Sequence, residues 1–272
     1  LTDMTNPALT QTAQSIEIAL AERGYGKLFA TSTNTLSEEM RAIELFRSRQ
    51  VDGMLIYPTS PKQIEHIRPL RRANYPVVLL IPDPDGTIDS VAVDDRRGAY
   101  KATQHLLDGG HRCIGLIDGT NPMGNREKRV GFTQALAEAG LDFDPRLAAD
   151  PEGHSTKRGY WAMDKLMSGA PSRPTAVFVV NDSLAIGALR WCANHHLSVP
   201  EDISIIGFDN IEFAEFASVP LSTINYAVEQ VTNVAVNRLM ELIAAGDHLP
   251  EPRVTLIDPE LVVRESTQPI GR

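Results

Sequence analysis

Short runs of aliphatic and β-branched residues alternate with amphipathic stretches along almost the whole chain, a rhythm that predicts parallel strands joined by helices. After Asn6-Pro7, the residues Ala13, Ile16 and Leu20 fall on one helical face, and Gly24 supplies a stop. Strands are predicted at Leu28–Thr31, Val51–Tyr57, Val77–Ile81 and Val91–Val93, with helices at Met40–Arg49 and Pro61–Ala73. A second series predicts strands at Cys113–Ile117, Ala176–Val180 and Ile203–Phe208. Its helices fall at Val130–Ala139, Thr156–Met167, Ser183–Asn194 and Val228–Ala245. Three stretches read as crossings between the series: Gly109-Gly110, Ser222–Asn225 and Gly246–Pro250. The expected organisation is α/β with two interleaved lobes, residues 1–109 plus 226–248 and residues 110–225 plus 249–272.

Composition agrees with that scale. A chain of 272 residues, 42% hydrophobic, buries a large core and by size divides into two domains. Its net charge of −9 and pI near 5.3 argue against holding DNA or an anionic membrane by bulk electrostatics, which needs a concentrated Lys/Arg surface. Cys113 lies in a strand-like run and Cys192 in a helical one, so both read as buried apolar residues rather than a disulfide, which suits a reducing, cytoplasmic setting. No apolar run is long enough to span a membrane, and the sequence from Leu1 reads as the interior of a domain rather than as a leader.

The chemical motifs of common enzymes do not occur. There is no Gly-x-Ser-x-Gly elbow, His-Glu-x-x-His helix, Cys-x-x-Cys pair or phosphate-binding Gly-x-x-x-x-Gly-Lys-Ser/Thr loop, and neither cofactor nor metal is expected. Asp83-Pro84-Asp85-Gly86 lacks the later oxygen ligands of a calcium loop and reads as a turn. His195-His196 would point about 100° apart on a helix and reads as a helix end. Arg71-Arg72 and Arg96-Arg97 read as solvated helix faces. What recurs is polar residues where strands end: Tyr57, Asp94-Asp95, Asn181-Asp182 and Asp209-Asn210. In open α/β proteins ligands bind at the carboxyl ends of parallel strands, beside helix N-termini. Asn6-Pro7 and Asn181-Asp182 each read as a helix cap at such an end, far apart along the chain, as a two-lobed small-molecule receptor requires. Carboxylates and carboxamides there suit a polyhydroxylated ligand, because each oxygen accepts from a hydroxyl.

The order of motifs resembles a known family. Gly110–Gly115 (GHRCIG), Arg129–Phe132 (RVGF) with Ala135-Leu136 and Ala139-Gly140, Pro174–Phe178 (PTAVF), Asn181–Gly187 (NDSLAIG), Val199–Asn210 (VPEDISIIGFDN) and Pro220–Ile224 (PLSTI) are similar to the effector-binding core of lactose-repressor/galactose-repressor transcription factors. The resemblance covers essentially the whole chain. It implies two Rossmann-like lobes of the periplasmic-binding-protein type, a homodimer, a sugar-like effector, and operator DNA contacted only through a helix-turn-helix domain expected upstream. Most of the first strand is likewise expected before Leu1-Thr2-Asp3.

The resemblance also implies a ligand-binding set: Asn6, Ala8, Leu9, Tyr57, Asp94, Lys128, His154, Asn181, Asp209 and Tyr226. Ala8 takes the place of a frequent aromatic, His154 of a stacking aromatic and Tyr226 of a frequent Gln. Lys128 stands where the family has an Arg that forks onto sugar hydroxyls, with Arg126 or Arg129 as alternatives if the loop is shifted; an ammonium cannot reproduce the planar fork. A sugar or sugar derivative is the first choice of effector, with a nucleobase, polyol or sugar acid behind it. The expected function is a ligand-responsive repressor core without catalytic activity. A periplasmic sugar-binding protein of a transport system is the alternative, and a hydrolase or isomerase on the same scaffold comes third.

Overall fold

A computed structural model describes residues 6–60, 62–119 and 125–271. In chain order the elements are α1 (Pro7–Ala21), α2 (Leu36–Ser48), β1 (Met54–Ile56), α3 (Arg68–Arg72), β2 (Val77–Leu79), β3 (Asp89–Val93) and α4 (Asp95–Asp108). There follow β4 (Ile114–Ile117), α5 (Asn125–Glu138), β5 (Ala148–Ala149), α6 (Thr156–Gly169), β6 (Ala176–Val179), α7 (Asp182–Asn194) and β7 (Ser204–Ile206). The chain ends with α8 (Glu212–Glu215), β8 (Thr223–Asn225), α9 (Val228–Ala245), β9 (Val254–Ile257) and β10 (Glu260–Val262).

Two compact units result: Leu1–Val93 with Ala227–Ile257, and Asp94–Tyr226 with Asp258–Arg272. The chain thus passes between units three times, at Val93–Asp94, Tyr226–Ala227 and Ile257–Asp258. The first change falls before α4 rather than at Gly109-Gly110. The reason is packing: α4 lies along α5, so closely that a Cβ on Gly131 would stand 2.0 Å from the carbonyl oxygen of Arg96. The last change falls after β9 because β9 pairs with β3 and so belongs to the first sheet.

In the first unit four parallel strands run in the order β1-β2-β3-β9, with Val77, Val78 and Leu79 fully buried. Asn6 caps α1 by accepting from the Ala8 N–H at 3.0 Å, and Pro7 occupies the first turn, where its missing donor is not needed. Leu28–Thr31, expected as a strand, is irregular, and Ala13, Ile16, Leu20, Leu28 and Phe29 line a cavity of about 460 Å³ beside Met54. Of the helix expected over Pro61–Ala73 only α3 forms; Pro61 lies outside the described residues. Arg71 corrects another expectation. Arg72 is exposed, but Arg71 turns inward, its Nε 3.4 Å from the wholly buried carboxylate of Asp89. Asp89 also accepts from Arg238 Nε at 2.7 Å and the Arg253 N–H at 3.1 Å, tying β3 to α9 and to the approach to β9. Asp83 accepts from the Thr87 and Ile88 N–H groups, closing the expected turn, while Asp85 pairs with Arg68 at the surface.

In the second unit the parallel order is β5-β4-β6-β7. Single bridges Ile206↔Ser222 and Asp209↔Asn225 carry β7 onto β8, which pairs antiparallel with β10. Because β4 has β5 on one side and β6 on the other, successive crossovers leave β4 and β6 in opposite directions. The carboxyl ends of β4 and β6 therefore flank a topological switch point. Phe132 of α5 stacks on Phe178 of β6 with centroids 6.1 Å apart, both rings fully buried. Cys113 and Cys192 are free, Cys113 half-buried and Cys192 buried, where loss of hydration pushes its thiol up to about 12. His195 caps the end of α7 and stacks on Trp191 at 3.9 Å.

Helices α6 and α7 meet through glycines. A Cβ on Gly187 would lie 1.9 Å from the Thr156 carbonyl oxygen, and one on Gly159 2.0 Å from that of Leu184. Gly187→Ala is expected to destabilise the chain by about 3 kcal/mol, since the backbones must separate. Gly169→Ala, in the same helix pair but with nothing within 4 Å of its Cβ, is expected to be neutral or to stabilise by up to about 1 kcal/mol. Urea denaturation of both variants checks the contrast.

Candidate functional site

Each long strand of the second unit delivers a polar side chain at its carboxyl end. β4 leads to Asp118, β6 through Val180 to Asn181, and β7 through Gly207-Phe208 to Asp209. Apart from Ser204 at the start of β7, the strands themselves are apolar on both faces, so these are the first positions at their carboxyl ends where a polar group reaches beyond the sheet. Asn181 serves α7 as its N-cap, its Oδ1 accepting from the Leu184 N–H at 2.8 Å, and its Nδ2 lies 3.4 Å from His154 Nδ1. Asp209 has φ 110° and Asn210 φ 55°, a left-handed pair that turns the chain sharply out of β7.

The turn is held by Asp182, which is fully buried. Its backbone N–H donates to Phe208 O at 2.8 Å, while its carboxylate accepts from the Ile211 N–H at 3.0 Å and from Thr223 Oγ1 at 2.6 Å. A side chain on Gly207 would collide with that carboxylate at 2.1 Å, so residue 207 has to be glycine.

Lys128, on the buried side of α5, reaches across this face. Its ammonium donates to Val180 O at 3.0 Å and lies 3.6 Å from Asp95 Oδ1, 4.0 Å from Asp209 Oδ1 and 3.7 Å from the centroid of Phe208. Its neighbour Arg129 forks onto Asp118, with Nε–Oδ2 2.6 Å and Nη2–Oδ1 2.5 Å. Burial pushes Asp182 up to about 8, with the nearby Asp209 charge adding to the effect. It also pushes Asp209 up to about 7, against the pull of Lys128 and with Asp95 adding to the rise. Asp95 is raised for the same first reason.

Of the ten residues expected at a ligand site, six belong to this unit. Lys128 and Asp209 converge, as do His154 and Asn181, and the Tyr226 N–H donates to Asp209 O at 3.3 Å. Asp94 caps α4 through the Arg97 N–H at 2.9 Å. The other four lie in the first unit, where Asn6 is the α1 cap, Ala8 and Leu9 are buried in its first turn, and Tyr57 follows β1. Asp95 and Asp182 were legible only as partners in the Asp94-Asp95 and Asn181-Asp182 doublets. Pairing of Arg129 with Asp118 had no local signal, because the two lie 11 residues apart on different elements. Among the described residues no cluster of His, Cys, Asp and Glu could hold a metal ion, and no helix is long and apolar enough to cross a membrane.

This arrangement of strand ends at a switch point defines a periplasmic binding protein-like domain, and the sequence profile of that domain matches residues 103–267. The HTH-type transcriptional repressor PurR of Aliivibrio fischeri is 33% identical over 271 residues, covering 98% of this chain and 79% of the relative. A CelR–cellobiose complex has TM-score 0.87 at 27% identity, over 98% of this chain and 82% of that one. A LacI-family regulator from Enterococcus faecium with bound ribose has TM-score 0.84 at 29% identity, over 99% and 97%. The chain belongs to the LacI family of transcriptional regulators. These relatives are regulators, not enzymes, and none of the three is a transport receptor.

The raised carboxyls make a testable statement about stability. A carboxyl whose folded pKa exceeds its unfolded value stabilises the fold fully below the unfolded value, near pH 4, and that contribution is lost as pH rises through the folded value. For Asp209 and Asp182 the window therefore runs from about 4 to about 7 and 8. Asp209→Asn, which stays neutral, is expected to gain stability relative to the parent as pH rises through this window. Denaturant midpoints compared across it check the sign; a difference that does not vary with pH refutes the assignment.

Proposed function

We propose that the chain senses a sugar or a closely related polyhydroxy metabolite at the polar face of its second unit, and that as a homodimer it relays binding to operator DNA through a helix-turn-helix head in the intact cytoplasmic repressor. The observation that carries this is the convergence of Asp209, Asn181, His154 and Lys128 at the carboxyl ends of parallel strands, on a backbone held by the Asp182 hub. Carboxylate and carboxamide oxygens accept from hydroxyls in fixed directions, which is how a rigid polyol is told from its isomers. The bound sugars of the CelR and Enterococcus structures support the same class of ligand. The protein acts by binding rather than turnover on this reading, which the regulators among its relatives support.

A thermal-shift screen against sugars, polyols and nucleobases tests the ligand class, because a ligand at about a hundred times its Kd adds about 2.7 kcal/mol to stability. Asp209→Asn is expected to weaken the compound so identified by about tenfold to a few hundredfold, with folding preserved. Calorimetry showing unchanged affinity in that variant would refute the placement.

The homodimer rests on family membership and on α8, where Phe213 and Phe216 are 62% and 76% exposed, an apolar surface that suits a second copy of itself. Sedimentation in the micromolar range is expected to show a dimer that Phe216→Glu weakens. A parent that remains monomeric removes this part of the proposal.

A further inference from the structure

Arg264, in the segment that follows β10, is half-buried and spends its guanidinium on two neutral acceptors. Nη1 donates to Leu221 O and Nη2 to Asn210 Oδ1, each at 2.8 Å. Its backbone N–H donates to Ser222 Oγ at 2.9 Å, which fixes the root of the side chain. Charge pairing does not explain an arginine here, but its planar fork does: it reaches two acceptors at once from a fixed plane.

One of those acceptors belongs to the turn that carries Asp209. Asn210 has φ 55° after 110° at Asp209, angles that residues other than glycine keep only where the surroundings enforce them. From inside, Asp182 accepts from the Asn210 and Ile211 N–H groups. On the side of β8, the Asp209 N–H donates to Ile224 O at 2.9 Å. The Asn210 side chain is a third handle, and Arg264 holds it. Asp209 does little to fix its own aim: its carboxylate makes no hydrogen bond among the described residues, and the ammonium of Lys128 facing it is 4.0 Å away. The direction of that carboxylate is therefore set by the backbone of the turn.

We propose that Arg264 is a positioning residue for the effector site, which locks the Asn210 side chain and so holds the left-handed turn that aims the Asp209 carboxylate at a ligand. The inference rests on the second unit's face being the effector site. A carboxylate that is to accept from hydroxyls on a rigid sugar has to point within about 10–20° of the productive direction. Without Arg264 the Asn210 amide rotates freely, the turn relaxes toward negative φ, and Asp209 swings out of line.

The first test needs no ligand, so it separates failure of this inference from failure of the sugar-sensing proposal. Amide hydrogen exchange is followed in the parent, Arg264→Ala, Asn210→Gly and Asn210→Asp. Arg264→Ala also leaves Leu221 O without this donor, whereas Asn210→Gly removes only the link to the turn, with a residue that takes positive φ freely. In both, the amides of Asn210 and Ile211 are expected to lose protection by about tenfold or more, while those of Leu116 and Phe178 in the sheet keep theirs. Asn210→Asp retains an acceptor for Arg264 and should be protected like the parent. Full protection at 210 and 211 in both variants, or a loss shared equally by the sheet amides, overturns the inference.

The second test is calorimetry with ribose, glucose and cellobiose. For each of these that binds the parent, Kd is expected to rise by about tenfold in Arg264→Ala and Asn210→Gly and by less than about threefold in Asn210→Asp. Lost protection with unchanged affinity would make Arg264 a brace without a part in recognition, and overturns the inference. Absence of binding by the parent counts against the sugar-sensing proposal, and the exchange comparison then decides whether Arg264 holds the turn.

Discussion

The carboxylate of Asp182 is the constraint on which the second unit's site depends. Buried in the first turn of α7, it binds the chain that leaves β7 and the hydroxyl of Thr223 on β8, so one group joins a helix start, a turn and an additional strand. Its cost is the dehydration of an acid, visible in its raised pKa. Its return is rigidity: Asn181, one residue before it, and Asp209, on the segment it holds, cannot move independently. Gly207 completes the arrangement by leaving room that any side chain would fill.

The first unit uses buried charge differently. Asp89 gathers Arg71, Arg238 and a backbone N–H from the approach to β9, three contributions from distant parts of the sequence. Such a cluster stabilises less than its Coulomb energy suggests, since each charge has left water. Its geometry nevertheless dictates which segments lie together. None of these residues faces a strand's carboxyl end, so the cluster serves assembly of the unit, whereas the Lys128 group lies where the second sheet presents its ends.

Much of this was legible in the sequence. Strands buried on both faces are continuous apolar runs, and for that reason β2, β4, β6 and β7 announce themselves. Helix α9 has the bounds its periodicity implies, Val228–Ala245, and the caps Asn6 and Asn181 follow from local chemistry. What escaped was non-local. Helix α4 is masked by its charged opening Asp95-Arg96-Arg97, and β9 alternates exposed Val254 and Leu256 with half-buried Thr255 and buried Ile257, which reads as loop until β3 supplies a partner. Arg71 looked solvated because its counter-charge, Asp89, lies on another element. At the site, residue types at strand ends were readable, but not their partners: Lys128 meets its acceptor Val180 O only through tertiary packing.

The interleaved path of the chain has a consequence for how the protein is made. The four-stranded sheet of the second unit is complete in sequence by Ile206, whereas that of the first unit waits for Val254–Ile257 and for α9 before it. During synthesis from the N-terminus, the second unit's sheet therefore has all four strands first, while β3 stays without its outer partner until Val254–Ile257 emerges. A ribosome that stalls between these points leaves a chain with one sheet finished and the other open at the edge of β3, the state in which such a protein is most exposed to aggregation and to capture by chaperones.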